Sequence, residues 1–135
     1  MPNKINGIKR PFIQTVISIE KRRVMSGDVI TKSGEYWSAA GWVFREIMKE
    51  TSNMLLDTDN PTLQQLLIDE DDYIRATESV ELKHFETKDY HDFIAALYKA
   101  YESCETKGSK DWNQPEFYSG FMIQFKKLVE LMKKD

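Results

Sequence analysis

The sequence predicts an all-α protein, a single-domain bundle of about five amphipathic helices. Its 135 residues match the usual size of one domain, and a hydrophobic content of 41% is enough to fill one core. Along most of the chain the apolar residues recur at intervals of three and four, which is the spacing of a helix face. The alternative is an α+β fold in which a small N-terminal hairpin packs on the helices.

The chain begins with a segment of different composition. Residues 1–10 combine turn-forming Pro, Asn and Gly with three basic side chains and contain few apolar residues. This composition predicts a flexible basic arm, because little of the segment can be buried. Residues 11–135 are then expected to form the single helical domain.

Residues 12–25 are compatible with a helix and with a strand. One set of residues has helical spacing: Phe12, Ile13, Val16, Ile17 and Val24. Another set alternates as in a strand: Thr15, Ile17 and Ile19. We expect a helix with Pro11 in its first turn, although its β-branched residues lose rotamer freedom in a helix. If the segment is a strand, Val29 and Ile30 are its expected pairing partners.

A helix is predicted over residues 35–53, with Ser33 as its N-cap. The apolar face of this helix contains Tyr36, Ala39, Ala40, Val43, Phe44, Ile47 and Met48. Gly41 lies in the middle of the predicted helix, where glycine costs about 1 kcal/mol relative to alanine. Its presence there indicates close approach of another helix.

The next helix is predicted to follow a chain break at residues 57–61. Asn60 precedes Pro61, and proline is favoured as the first residue of a helix. The apolar face contains Leu63, Leu66, Leu67, Tyr73 and Ile74. We expect this helix to end near Ser79, so that residues 80–86 form a short helix or a connector.

Two further helices complete the predicted bundle. The first is capped by Thr87 and ends at Gly108. Its apolar stripe contains Tyr90, Phe93, Ile94, Leu97, Tyr98 and Tyr101. In the second, Asn113 and Glu116 have the spacing of a capping box, and Pro115 suits the first turn. Its stripe contains Phe117, Phe121, Phe125, Leu128 and Met132.

The cysteine content and the hydropathy pattern indicate the cellular compartment of the protein. Cys104 is the single cysteine, so the chain has no intramolecular disulfide. The N-terminal segment lacks the apolar core of a signal peptide, and the apolar stretches are shorter than the ~20 residues that span a bilayer. These features predict a cytoplasmic protein that does not cross a membrane.

The sequence contains no recognisable catalytic or metal-binding motif. Glu81 and His84 have the spacing of a di-iron carboxylate motif, but such bundles need two copies of it. Cys104 continues an apolar helix stripe, and His91 would lie about 140° away around the same helix. A thiol so placed has no activating base. We therefore expect a protein that is not an enzyme and that has no metal and no cofactor.

Negative charge is concentrated in the middle of the chain. Residues 57–81 contain eight acidic residues and one basic residue, although the net charge of the whole chain is only −3. A concentrated acidic face steers association with a basic partner, and neighbouring aromatic residues such as Tyr73, Trp37 and Trp42 would anchor it. The predicted partner-binding residues are Asp57, Asp59, Asp69, Glu70, Asp71, Asp72, Tyr73 and Glu78.

These features predict a protein-binding inhibitor of the toxin-immunity type, which docks an acidic face onto a basic partner such as a nuclease toxin. The alternative is a regulator that binds nucleic acid through the basic N-terminal segment. The residues expected to contact phosphates in that case are Lys9, Arg10, Lys21, Arg22 and Arg23.

Overall fold

The computed structural model describes residues 26–69 and 77–135. Within these residues the chain forms four α-helices and a mixed three-stranded sheet. In chain order the elements are β1 (Ser26–Ile30), β2 (Tyr36–Ala40), α1 (Gly41–Asn53), α2 (Pro61–Ile68), β3 (Ser79–Glu81), α3 (Thr87–Lys107) and α4 (Glu116–Lys134).

The prediction of an all-α bundle of about five helices is wrong, because the structure contains a sheet. The α+β alternative fits, although the observed hairpin is formed by β1 and β2. Val29 and Ile30 pair with Trp37 and Tyr36 of β2. Residues 1–10 and 12–25, for which an arm and a helix were predicted, lie outside the described residues.

The sheet has β1 in its centre. β2 pairs with β1 in antiparallel orientation and β3 pairs with it in parallel orientation. Val29 lies between Trp37 and Val80 in the register, and all three side chains are buried. This apolar row faces the helices and joins the sheet to the core. Trp37 also donates a hydrogen bond of 2.9 Å from Nε1 to the carbonyl oxygen of Gln124 in α4.

Helix α1 begins at Gly41 rather than near residue 35. The preceding residues pair with β1, and Ala40 occupies the N-cap position without a side-chain cap, so the prediction of Ser33 as N-cap is wrong. Gly41 is consequently the first residue of the helix. A Cβ atom at Gly41 would lie 2.8 Å from Oε1 of Glu78, so a side chain, and not a second helix, makes the close approach.

The predicted start of α2 is confirmed, and its predicted end is wrong. Asn60 is the N-cap, its Oδ1 accepts a hydrogen bond of 3.1 Å from the backbone N–H of Leu63, and Pro61 opens the helix. The helix ends at Ile68 instead of near Ser79, where β3 begins. After β3, a single 3-10 turn occupies Leu82–His84.

The two long helices lie close to their predicted positions. Helix α3 begins at Thr87, which is the first helical residue and not the cap. Its C-cap Gly108 has a φ of 68°, which favours glycine. Helix α4 begins at Glu116 with Pro115 at the N-cap position and no side-chain cap. The capping box predicted with Asn113 is therefore wrong.

The core forms where α1, α3 and α4 meet the sheet. Its largest fully buried aromatic side chains are Phe44, Phe93, Phe121 and Phe125. Among the described residues, no helix combines the length and the apolar character needed to cross a bilayer.

Candidate functional site

A surface groove lies between α1 and the loop that joins α3 to α4. One part of it is a cavity of about 420 Å³ between α1, the C-terminal end of α3 and this loop. An adjoining hollow of about 490 Å³ lies between Trp42, Trp112 and Phe117. Because the two share Trp42, Trp112 and Asn113 in their walls, we treat them as one site and call it the Trp42 groove.

The groove has an aromatic floor. The Trp42 ring stacks on Phe121 with a centroid distance of 6.2 Å and an interplanar angle of 24°. Trp112 meets Trp42 edge-on at 6.4 Å, and Phe117 lies 6.1 Å from it at a tilt of 57°. Phe121 is fully buried, whereas Trp42 and Phe117 are 41% and 49% exposed. The aromatic cluster thus extends from the core to the surface.

Two carboxylates extend the groove along α1. Trp42, Glu46 and Glu50 are spaced by four residues, so they lie on one face of the helix. Burial raises the pKa of Glu46 above its usual value; nearby Lys49 partly lowers it, and Glu50 raises it further through its charge and a side-chain hydrogen bond. The two carboxyl groups therefore lie on the same wall of the groove.

The opposite wall contains Cys104, Lys107 and Asp111. Burial, and then the nearby carboxylate of Glu50, raise the pKa of Cys104 to about 12. The side chain is consequently a neutral thiol near pH 7 and has the character of a packing residue. The Tyr118 hydroxyl donates a 2.9 Å hydrogen bond to the carbonyl oxygen of Cys104, which holds the first turn of α4 against the end of α3.

The C-terminal end of α2 lies beside the groove. Ile68 lines a hollow together with Trp42, Glu46 and Lys49. Asp69 follows directly as the C-cap of α2 and is half-buried. Asp69 itself lines a separate hollow with Pro61, Gln65 and Leu66 of α2, so only its chain neighbour Ile68 contributes to the hollow beside Trp42.

The structure separates the other predicted acidic residues. Asp57 and Asp59 are exposed in the turn before α2, and the Asp59 carboxylate lies 3.0 Å from Nζ of Lys88. This turn is separated from Asp69 by the whole of α2, which is about 12 Å long. Glu78 is 8% exposed and forms an ion pair with Arg45.

Several predicted residues lie outside the part of the chain that the structure describes. For partner binding these are Glu70, Asp71, Asp72 and Tyr73. For nucleic-acid binding they are Lys9, Arg10, Lys21, Arg22 and Arg23.

Sequence reasoning missed the carboxylates of Glu46 and Glu50, and it missed two of the aromatic residues of the groove. Phe117 had been assigned to the buried stripe of its helix, but it lies in the first turn, where the stripe extends beyond the core. Trp112 lies in a polar connector between Asp111 and Asn113, and a tryptophan in such a loop is a signal of a surface aromatic cluster. Trp37, by contrast, is only 5% exposed and is therefore unavailable as an anchor.

The histidines lie away from the groove. His84 is exposed, and its Nε2 is 3.5 Å from the Glu81 carboxylate one turn earlier. The exposed His91 packs against the ring of Tyr90. In residues 26–69 and 77–135, no three His, Cys, Asp or Glu side chains are grouped so as to hold a metal ion.

Comparison of the chain with protein-family models, with curated proteins and with solved structures gave no match.

Proposed function

We propose that this chain is a protein-binding domain that docks the Trp42 groove, together with the acidic residues that follow α2 from Asp69, onto a basic partner. The observation that carries this proposal is the aromatic surface of Trp42 and Phe117, both close to half-exposed, beside the carboxylates of Glu46 and Glu50. Leaving two large rings in water is unfavourable, and such rings are typical binding hot spots when a partner covers them.

Charge around the groove favours a basic partner. Its walls carry the carboxylates of Glu46, Glu50 and Asp111 against the ammonium groups of Lys49 and Lys107. The sequence adds four consecutive acidic residues from position 69, beginning beside the hollow at Ile68. An excess of negative charge at the edge of an aromatic surface accelerates encounter with a cationic protein and disfavours an acidic one.

The specific form of the proposal is an inhibitor of the toxin-immunity type that acts in the cytoplasm on a partner such as a nuclease toxin. A nuclease must present a cationic cleft to its substrate, and an acidic surface with aromatic anchors complements such a cleft. Glu78 is not part of the proposed surface, because it is buried against Arg45.

The test is affinity capture from the source cell with the wild-type chain and with a groove variant. Trp42→Ala combined with Phe117→Ala should weaken binding of a basic partner by about 30-fold or more, the effect of losing one strong hot spot. The matched control is Leu56→Ala with Ile123→Ala, which removes two apolar side chains that are 64% and 54% exposed outside the groove.

The outcomes separate the general proposal from its specific form. Docking through the groove would be contradicted if the wild type and both double variants bound the partner equally well. If the partner is bound through the groove but is not basic, the charge argument fails. The inhibitor form additionally requires that a stoichiometric amount of the chain abolish an activity of the partner.

The nucleic-acid alternative remains a prediction from the sequence. It requires a salt-dependent mobility shift of a DNA or RNA probe that disappears when Lys21, Arg22 and Arg23 are changed to Ala. Absence of a shift at low salt would exclude it.

A further inference from the structure

The cavity part of the Trp42 groove has an aromatic wall and a carboxylate wall that face the same space. Its volume of about 420 Å³ lies within the range of small-ligand sites. Trp42 rests on Phe121 and is still 41% exposed, so part of the indole remains available for a contact. Indole is the aromatic side chain that binds cations best, because its face is electron-rich.

The carboxylate wall is suited to a positive charge. Glu46 and Glu50 lie one turn apart on α1 and line the same cavity. Two carboxylates at this separation repel each other unless a proton or a cation lies between them. Burial, and after it the charge of Glu50, raises the pKa of Glu46, and a bound cation would relieve both the loss of hydration and the repulsion.

The lysines of the groove do not satisfy these carboxylates well. Nζ of Lys49 lies 3.9 Å from the Glu46 carboxylate, at the limit of an ion pair, and its side chain is 63% exposed. Such a contact contributes little and is easily displaced. Lys107 belongs to the last turn of α3, where a cation interacts favourably with the helix carbonyl groups.

A guanidinium group matches both walls better than an ammonium group does. It is planar, so it stacks on an indole, and its paired N–H donors fit a carboxylate in bidentate geometry. An ammonium group is compact and strongly hydrated, and it can make only one of these contacts well at a time.

We propose that the Trp42 groove is an arginine pocket, in which a partner's guanidinium group stacks on Trp42 and is held by Glu46 and Glu50. This inference rests on the proposed function and names the chemistry that the docking surface recognises. An arginine at the centre of an interface, enclosed by tryptophan and carboxylates, is a typical hot spot.

The experiment uses N-acetyl-arginine amide as the probe and the indole N–H resonances of the three tryptophans as reporters. The resonances of Trp42 and Trp112 should shift with a Kd on the order of millimolar, as expected for a single side chain. Trp37 serves as an internal control, because it is buried and its Nε1 already donates to Gln124. N-acetyl-citrulline amide, which has the same shape without the charge, should cause no comparable shift.

Two variants test the carboxylates. Glu46→Gln with Glu50→Gln should weaken binding of the arginine probe at least about tenfold, since the charge-assisted hydrogen bonds are lost. Glu102→Gln, which neutralises an exposed carboxylate of the neighbouring α3 outside the groove, should leave binding unchanged. Dispersion of the amide spectrum verifies that each variant is folded.

Three results would overturn the arginine pocket: absence of shifts at Trp42 and Trp112, equal binding of the citrulline probe, or equal binding of N-acetyl-lysine amide. These results are independent of the capture experiment. If capture depends on Trp42 and the arginine probe does not bind, the docking function stands and the pocket is wrong. If the probe binds and capture does not depend on the groove, the pocket stands and the docking function is wrong.

Discussion

The Asn60 side chain joins α2 to α3 through three hydrogen bonds. Its Oδ1 accepts from the backbone N–H of Leu63 at 3.1 Å, and its Nδ2 donates to the carboxylates of Asp89 and Asp92, each at 2.8 Å. Hydrogen bonds from Lys88, and then from Asn60, lower the pKa of Asp92. The buried amide therefore stabilises two neighbouring carboxylates as well as the start of a helix.

This arrangement makes Asn60→Asp an informative substitution. Aspartate is as good an N-cap as asparagine, so the bond to Leu63 would be kept. The two donated bonds would be replaced by repulsion from Asp89 and Asp92. We expect the free energy of unfolding in urea to fall by about 1–3 kcal/mol at pH 7. Asn113→Asp is the control, because Asn113 is exposed and makes no cap bond; equal stability of both variants would contradict the role of the amide.

Asp135 ties the end of α4 to the turn between β1 and β2. Its carboxylate accepts hydrogen bonds from the backbone N–H of Lys32 at 3.1 Å and from the Tyr90 hydroxyl at 3.0 Å, with a weaker bond from Ser33. Burial alone would raise the pKa of Asp135, but the bonds from Lys32, Tyr90 and Ser33 outweigh it and hold the pKa below its usual value.

The lowered pKa of Asp135 predicts a pH-dependent contribution to stability. The ionised group stabilises the folded state above its unfolded pKa of about 3.9, and this contribution is lost as the pH falls through the lower folded value. Asp135→Asn should therefore lower the Tm at pH 7, and this effect should shrink as the pH falls toward about 2. Asp57→Asn, an exposed change in the turn after α1, should not alter the Tm at either pH. A Tm difference for Asp135→Asn that is as large at pH 2 as at pH 7 would contradict the ionic origin.

At the scale of elements, Gly27 determines how closely β1 approaches α1. A Cβ atom at this position would lie 2.2 Å from Cβ of Phe44, which no small adjustment can relieve. Phe44 is fully buried in the centre of the core. Glycine is thus required here for close packing of the strand on the helix.

Gly27→Ala should therefore destabilise the fold by about 1–3 kcal/mol, the usual cost of overpacking. Phe44→Gly alone should cost about 3–5 kcal/mol through the cavity that it leaves, and about 1 kcal/mol more for a glycine within the helix. In the Phe44→Gly background, Gly27→Ala should cost little, because the Cβ atom of Phe44, which an alanine would retain, is gone. Urea denaturation of the four proteins checks this prediction. Additive effects would show that position 27 needs glycine for a reason other than contact with Phe44.

The sequence predicted an element well where a local signal marked its start or end. It predicted an element poorly where pairing between strands determines the conformation. Asn60 before Pro61 predicted the start of α2, and Gly108 predicted the end of α3, because each residue has a local backbone role. Residues 36–40 were assigned to a helix, since five residues are too few for an alternating pattern to be distinguished from helical spacing. Their strand conformation comes from pairing with β1, which is a tertiary effect.

The candidate site was predicted only in part, because tertiary packing also determines which residues form it. Trp42 was expected as an anchor near the acidic residues, and it is partly exposed beside the end of α2. Its neighbours Trp112 and Phe117 come from sequence positions about 70 residues away, and only the packing of α4 against α1 brings them to it. Periodicity within one helix cannot show which ring at the end of a stripe extends beyond the core.

For the whole molecule, the unequal distribution of charge predicts how association responds to salt. Asp69→Lys, Asp71→Lys and Asp72→Lys together reverse the charge of the acidic residues that follow Ile68 in the chain. The rate constant for association with a basic partner captured through the groove should fall about tenfold or more at low salt. At 1 M salt, where the Debye length is about 3 Å, the variant and the wild type should associate at similar rates.

The matched control reverses three exposed carboxylates elsewhere, with Glu86→Lys, Glu102→Lys and Glu130→Lys. This variant has the same net charge as the first, so steering by total charge alone would slow both equally. If the acidic segment is the docking face, the first variant should associate more slowly than the control at low salt, since steering depends on charge near the contact. Equal rates in stopped-flow measurements would show that the acidic residues from position 69 have no special role in association.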